Sequence, residues 1–405
     1  MENETGLLKR LTMIGPAAIL VASSMGPGTV ASCIMGGSYL GYQILWVVVA
    51  SGFLGAIVSV IGGKVYAVTG KTGFRVVRDY THPFLAYPLF VWLAFAVYFV
   101  ITIEGKLLAH TVSLMLPNLE GTINTVVVPL VVLAAAVIFS FGFKRVVFLC
   151  SLMTTAMAAM FLINMFVVDV SLPKAAAGLI PIIPFDKTGL MAFGGIMGGS
   201  ASGVVALGYS YLVRNKGWDS PDYLPRMKLD QILFYGILFG IFSVGIYITG
   251  AAVLHPQGIE VNSAIDAAKG LEPLVGDLSK WLFLVGLFGA IFSTLGALAT
   301  IMCYLLADMV GIPPDMNNLK FKVLLFCSIL VGILGPFLSG LPAMKYMVLA
   351  MVVFLLAGPI VILIYLIVGN RKNIMGEYTN SGWLNAGLVI AFILNCIGSV
   401  AAVLQ

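Results

Sequence analysis

Apolar runs long enough to cross a bilayer follow one another along almost the whole chain, and the short connections between them hold most of the charge. A transmembrane helix needs roughly 20 mostly apolar residues. Windows of that kind predict about eleven helices, at 11–40, 43–67, 86–116, 122–142, 146–168, 188–213, 228–254, 279–307, 321–340, 343–369 and 382–404.

Two of these runs break their own pattern. The first carries Ser24-Met25-Gly26-Pro27-Gly28-Thr29 at its middle. Proline removes a donor and clashes with the preceding turn, and glycine is the weakest ordinary helix former, so the helix is expected to open there. The sixth carries Gly194-Gly195-Ile196-Met197-Gly198-Gly199-Ser200-Ala201-Ser202-Gly203-Val204-Val205, with five glycines and two serines, and is expected to be discontinuous as well. Backbone left unpaired in a membrane is tolerated only where it lines a cavity or is covered by protein. Singly, each break also reads as a kink with small residues for close helix packing. Their placement adds something. Each falls in the first helix of a five-helix set, 11–168 and 188–369, with an additional helix at 382–404. Five is odd, so the sets have opposite orientation, and matching breaks in inverted halves point to a midplane site in a secondary transporter. The expected fold class is therefore an all-α polytopic membrane protein, one transmembrane domain over 1–405, with discontinuous helices 1 and 6.

Composition removes the alternatives. Of 405 residues 60% are apolar and 10% charged, and the mean hydropathy is +1.06, which excludes a soluble domain. Lys9, Arg10, Lys64, Lys71, Arg75, Arg78 and the basic pairs near 144, 215, 227, 321 and 371 fall on one side, against Lys174, Lys187, Lys269, Lys280 and Lys345 on the other. The positive-inside rule then puts the N-terminus in the cytoplasm and, with an odd helix count, the C-terminus outside. Topology thus accounts for the net charge of +5, with no call for nucleic acid; the partner is the lipid bilayer of a prokaryotic plasma membrane. The acidic Met1-Glu2-Asn3-Glu4-Thr5 stretch is unlike a cleaved signal peptide. Five cysteines stand singly and three histidines are scattered, so no metal or redox motif is present. No nucleophile with a base and no phosphate loop occurs, so neither an enzyme nor a bound cofactor is expected.

Several stretches resemble the Nramp family of proton-coupled divalent metal transporters. They run from Gly15-Pro16 through Gly26-Pro27-Gly28-Thr29 to Gly36-Gly37-Ser38-Tyr39-Leu40-Gly41-Tyr42-Gln43-Ile44-Leu45-Trp46-Val47-Val48. They continue in Val68-Thr69-Gly70-Lys71 and Val77-Arg78-Asp79-Tyr80, with weaker echoes at Leu271-Glu272-Pro273-Leu274, Ser293-Thr294 and Ile374-Met375-Gly376. The resemblance implies the LeuT-type fold, an inverted repeat of five helices plus further helices. Where the family has Asp-Pro-Gly-Asn this chain has Gly26-Pro27-Gly28-Thr29, and Ser202-Gly203-Val204 stands where the family has Met-Pro-His. Met351 falls where many members carry glutamine. By this comparison the family's metal ligands are absent.

What remains at the two breaks is hydroxyl and backbone. A desolvated divalent cation needs compensating negative charge, whereas a half-helix N-terminus offers unpaired N–H groups to an anion. Expected substrate contacts are Gly26, Gly28, Thr29, Val30, Ser200, Ser202, Gly203 and Val204, with donors also from Ala31 and Val205. The expected substrate is a small anion, with bicarbonate favoured for its compact, planar shape. The alternative is a divalent cation, magnesium or manganese, in an atypical site; a sensor derived from a transporter and a channel are further classes. Glu104, Lys106 and His110 are charged or titratable groups within helix 3. The resemblance makes Glu104 a candidate proton relay, against a reading in which it only meets a polar neighbour while Lys106 snorkels outward. Ala290, Ser293 and Thr294 share one face of helix 8, a spacing that resembles the sodium site of sodium-coupled transporters with this fold, although such hydroxyls also bond their own helix. Sodium or a proton is the expected coupling ion.

Overall fold

The computed structural model describes residues 15–142 and 144–403, and every regular element among them is helical. The acidic N-terminal stretch, Lys9, Arg10, residues 11–14 of the expected first span and residue 404 of the last lie outside the described residues. So do the side chains of Lys144, Arg145 and Cys150.

The first span is two helices, α1 (Pro16–Ser24) and α2 (Pro27–Leu40), with Met25 and Gly26 between them. Each begins with a proline in its first turn, preceded by an extended glycine, Gly15 or Gly26. Proline is well placed there, because its missing N–H would have had no partner and its fixed φ suits the helix. The chain continues through α3 (Leu45–Thr69), the short amphipathic α4 (Gly73–Tyr80), α5 (Pro83–Met115), α6 (Ile123–Phe141) and α7 (Lys144–Val167). The sixth span is again two helices, α8 (Lys187–Ser200) and α9 (Val204–Lys216). Then follow α10 (Pro221–Gln257), α11 (Ser279–Val310) and α12 (Leu319–Phe337).

Both expected breaks are present. The tenth span, expected as one helix over 343–369, is also interrupted: α13 (Ala343–Leu355) and α14 (Gly358–Asn370) flank Leu356-Ala357. The cause is Gly358-Pro359, a helix stop inside an apolar run. The last helix is α15 (Gly382–Val403). Among the described residues nine helices, counting continuous runs, are long and apolar enough to span a membrane. With α7 and the divided first span they correspond to the expected set.

The broken sixth span is the centre of the bundle. Of its most apolar stretch 89% is buried, against 33% for α6, α12 and α15, which form the rim. Lipid provides no hydrophobic drive between helices, so small residues must let backbones meet. A Cβ at Gly62 would lie 1.9 Å from Ala206 O, so α3 and α9 touch backbone to backbone. A Cβ at Gly105 would lie 1.8 Å from Gly332 O, which presses α5 against α12. The latter contact fixes the rotation of α5 beside Glu104.

Candidate functional site

The breaks in spans 1 and 6 face each other across a cavity of about 70 Å3, enough for an ion and a few waters. Side chains complete the opened turns. Thr29 Oγ1 donates to Ser24 O at 2.6 Å across the first break, and Asn395 of α15 donates to Ala201 O at 3.0 Å across the second. Tyr235 of α10 donates to Ser200 O at 2.7 Å. This is the accounting that a membrane interior demands of interrupted backbone.

The cavity wall contains a carboxylate. Glu104 of α5, 2% exposed, lines it together with Gly26, Gly28, Thr29 and Thr294. Glu104 Oε1 lies 2.6 Å from Thr294 Oγ1, and Oε2 is buried without a hydrogen-bond partner. Gly26 makes the approach possible, since a Cβ there would lie 2.5 Å from Thr294 Cγ2. Met351 of α13 supplies a thioether. A Cβ at Gly28 would lie 2.6 Å from its Sδ, and one at Gly199 3.7 Å from it and 2.9 Å from Thr29 Oγ1. Carboxylate, hydroxyl oxygens and sulfur thus converge from four separate spans.

The expected site residues sort as follows. Gly26, Gly28, Thr29 and Val204 line this cavity, as do Glu104 and Thr294. Val30, Ser200, Ser202 and Gly203 do not line it; they build the turns behind it. The expected coupling face is divided. Ser293 lines a different cavity of about 140 Å3 with Thr154 and Thr155, while Ala290 O accepts from both Ser293 Oγ (3.0 Å) and Thr294 Oγ1 (2.8 Å). Lys106 points away from the cavity, donating to Leu338 O at 2.5 Å with its Nζ over the Tyr346 ring. Met351, named in the sequence only as the residue standing where many family members carry glutamine, was not counted among the expected site residues. Only the fold brings it to Gly28.

The electrostatics differ from the sequence expectation. Val30 N–H donates to Gly26 O (3.2 Å), Val204 N–H to Ser202 Oγ (3.3 Å) and Val205 N–H to Ser202 O (3.1 Å), so three expected anion donors are already used. The protons of Thr29 and Ser200 are committed to Ser24 O and, at 2.5 Å, to Ile196 O. A hydroxyl that has donated its proton presents lone pairs. Thr29 Oγ1, which lines the cavity, therefore presents an acceptor to it.

Paired broken helices around a cavity lined by a carboxylate and hydroxyls among apolar residues, in a bundle whose described elements are all helical, define a membrane transporter of the LeuT type. The chain matches the family described as "Natural resistance-associated macrophage protein-like" over residues 17–405, and it belongs to that Nramp family. It is 24% identical over 386 residues to a protein of Caldanaerobacter subterraneus subsp. tengcongensis named "Divalent metal cation transporter MntH", covering 93% of this chain and 88% of that one. Its fold is similar to that of a variant of the manganese transporter of Eremococcus coleocola, with TM-score 0.77, 17% identity, and 100% of this chain and 88% of that one covered. It is also similar to Mhp1, a nucleobase-cation-symport-1 family transporter, with TM-score 0.57, 17% identity, and 97% and 90% covered. The chain is an integral membrane transporter of a small inorganic ion, and not an enzyme.

The expectation of an anion, bicarbonate above all, is corrected by these relatives, whose names give divalent metal cations and manganese. The expected substrate contacts came from the two breaks, whereas the cavity wall draws on other helices as well. Glu104, expected either as a proton relay or as the partner of a polar neighbour, is a carboxylate in the cavity wall, and the Met351 side chain reaches the same wall from a different helix.

Proposed function

We propose that this chain carries a divalent metal cation, manganese in preference to magnesium, by alternating access around the cavity between the two breaks. The observation that carries the reading is Glu104 Oε2, a buried carboxylate oxygen with no hydrogen-bond partner, in the wall of that cavity. An uncompensated buried charge costs several kcal/mol, and a bound cation removes that cost. The Met351 thioether favours the softer ion, because magnesium prefers all-oxygen, largely hydrated coordination. Thr29 and Thr294 add oxygen ligands, with the helical turns at Val30, Ser200, Ser202, Gly203 and Val204 holding them in place.

The coupling ion in this reading is a proton on Glu104. Thr294 Oγ1 has one proton for two kinds of contact, to carbonyls of its own helix (Ala290 O at 2.8 Å, Ile291 O at 3.3 Å) and to Glu104 Oε1 at 2.6 Å. A protonated Glu104 satisfies both contacts by donating to Thr294, and an ionised Glu104 is free to hold the metal. Proton and metal thus alternate on one group. Residues 11–168 and 188–369 act as the two inverted repeats, in a bacterial plasma membrane with the N-terminus in the cytoplasm, as the distribution of basic residues supports.

The test is thermal stabilisation of purified protein by manganese, magnesium and bicarbonate at matched ionic strength. At a hundredfold excess over Kd a ligand that binds only the native state adds about 2.7 kcal/mol. Stabilisation by manganese at lower concentration than magnesium is expected. Stabilisation by neither metal, or by bicarbonate alone, overturns the reading.

A further inference from the structure

Tyr235 lies at 0% exposure on α10 and does not line the cavity, yet its hydroxyl reaches both breaks. It donates to Ser200 O, at the end of α8, over 2.7 Å, and lies 3.1 Å from Ser24 Oγ, at the end of α1. With its single proton given to the carbonyl, the phenol oxygen accepts from the serine hydroxyl. Ser24 O in turn accepts from Thr29 of α2. One chain of hydrogen bonds therefore runs from α8 through α10 to α1 and α2.

The surrounding structure is arranged for this contact. A Cβ at Gly55 would lie 2.3 Å from Tyr235 Cε1 and 2.5 Å from Ser200 O, so α3 leaves room for ring and carbonyl together. The ring stacks on Phe239, centroids 4.9 Å apart. The same part of α10 also holds the other end of α1, where Asp230 Oδ2 accepts from Ala17 N (2.8 Å) and from Tyr209 OH (3.2 Å). Residues 231–239 are wound as π-helix, a winding that occurs often at functional sites. The nine-residue α1 is thus gripped at both ends by one neighbouring helix.

We propose that Tyr235 is a positioning residue for transport: its hydroxyl joins the end of α1 to the end of α8, so that the two breaks open and close as one unit. Ions pass between half-helices that must move during alternating access. A shared hydrogen bond makes the movement of one half-helix felt by the other.

Tyr235→Phe removes the hydroxyl and keeps the stacked ring. Hydrogen exchange on the purified, substrate-free variant is expected to quicken about tenfold in residues 16–30 and 196–205, the effect of one neutral hydrogen bond. The rest of the chain should be unchanged. Because no substrate is present, failure here is separable from failure of the cation reading. In proteoliposomes the maximal manganese uptake rate should fall about tenfold with KM within about twofold, since the residue does not touch the cavity. Uniformly faster exchange, unchanged exchange in the two segments, or a loss expressed in KM alone overturns the proposal. If Tyr235→Phe does not fold, Ser24→Ala tests the serine contact alone. It should quicken exchange in both 16–30 and 196–205, and a change confined to 16–30 or absent from both segments is the overturning result.

Discussion

Replacing Glu104 by glutamine keeps the length and shape of the side chain and removes the one carboxylate among the described residues that line the cavity. The amide oxygen can still accept from Thr294 Oγ1, now 2.6 Å from Oε1, so packing and that hydrogen bond survive. The change is confined to charge. At 2% exposure solvent cannot screen the lost charge, and removing one partner of a buried charge pair costs about 3–5 kcal/mol. The cavity of about 70 Å3 admits water, which replaces part of the lost ligand and favours the lower end of that range. A loss of about 3 kcal/mol is roughly a hundredfold in Kd. Calorimetric titration of manganese into the wild type and Glu104→Gln measures it directly. Melting temperature without metal serves as the control, and it should change little, because the neutral amide replaces a group that carries a proton when no metal is bound. Equal manganese affinity in the two proteins would refute the assignment of Glu104 as the anchoring ligand.

Three further outcomes follow from the same geometry. Met351→Leu, a nearly volume-conserving change, should weaken manganese binding about tenfold and leave magnesium within about twofold; an equal loss for both ions in competition titrations would mean the sulfur only fills space. Thr294→Ala should weaken manganese binding less than Glu104→Gln, about fivefold for one lost charge-assisted contact, and should alter the proton dependence of uptake. Uptake that follows a sodium gradient and loses that response in Thr294→Ala would instead assign the 290–294 face to sodium. Gly62→Ala places a Cβ 1.9 Å from Ala206 O on α9, a clash with backbone that no rotamer relieves. It should destabilise the bundle by about 2 kcal/mol, visible as a lower melting temperature, and an unchanged melt would contradict the close packing of α3 on α9.

The sequence by itself determined what depends on local chemistry. Apolar run lengths required a helical membrane bundle, because no other open structure satisfies its backbone in lipid. Pro27 with Gly26 and Gly28, and the cluster of glycines from 194 to 203, marked two of those helices as the ones to open, since these residues stabilise a regular turn least, although Gly194, Gly195, Gly198 and Gly199 themselves stay within α8. Gly358-Pro359 carried the same message about the tenth span, masked by the strength of the apolar run around it. The charge of the site was another matter. Glu104 is far in sequence from both breaks, and its role depends on the rotation of α5, set by Gly105 meeting Gly332 of α12. Met351 depends on α13 lying against Gly28. Whether the N–H groups after each break were free depended on turns closed by Gly26 O and Ser202. Local propensity tells where a helix breaks; only packing between distant helices decides which side chains enter the opening, and so the sign of the ion it holds.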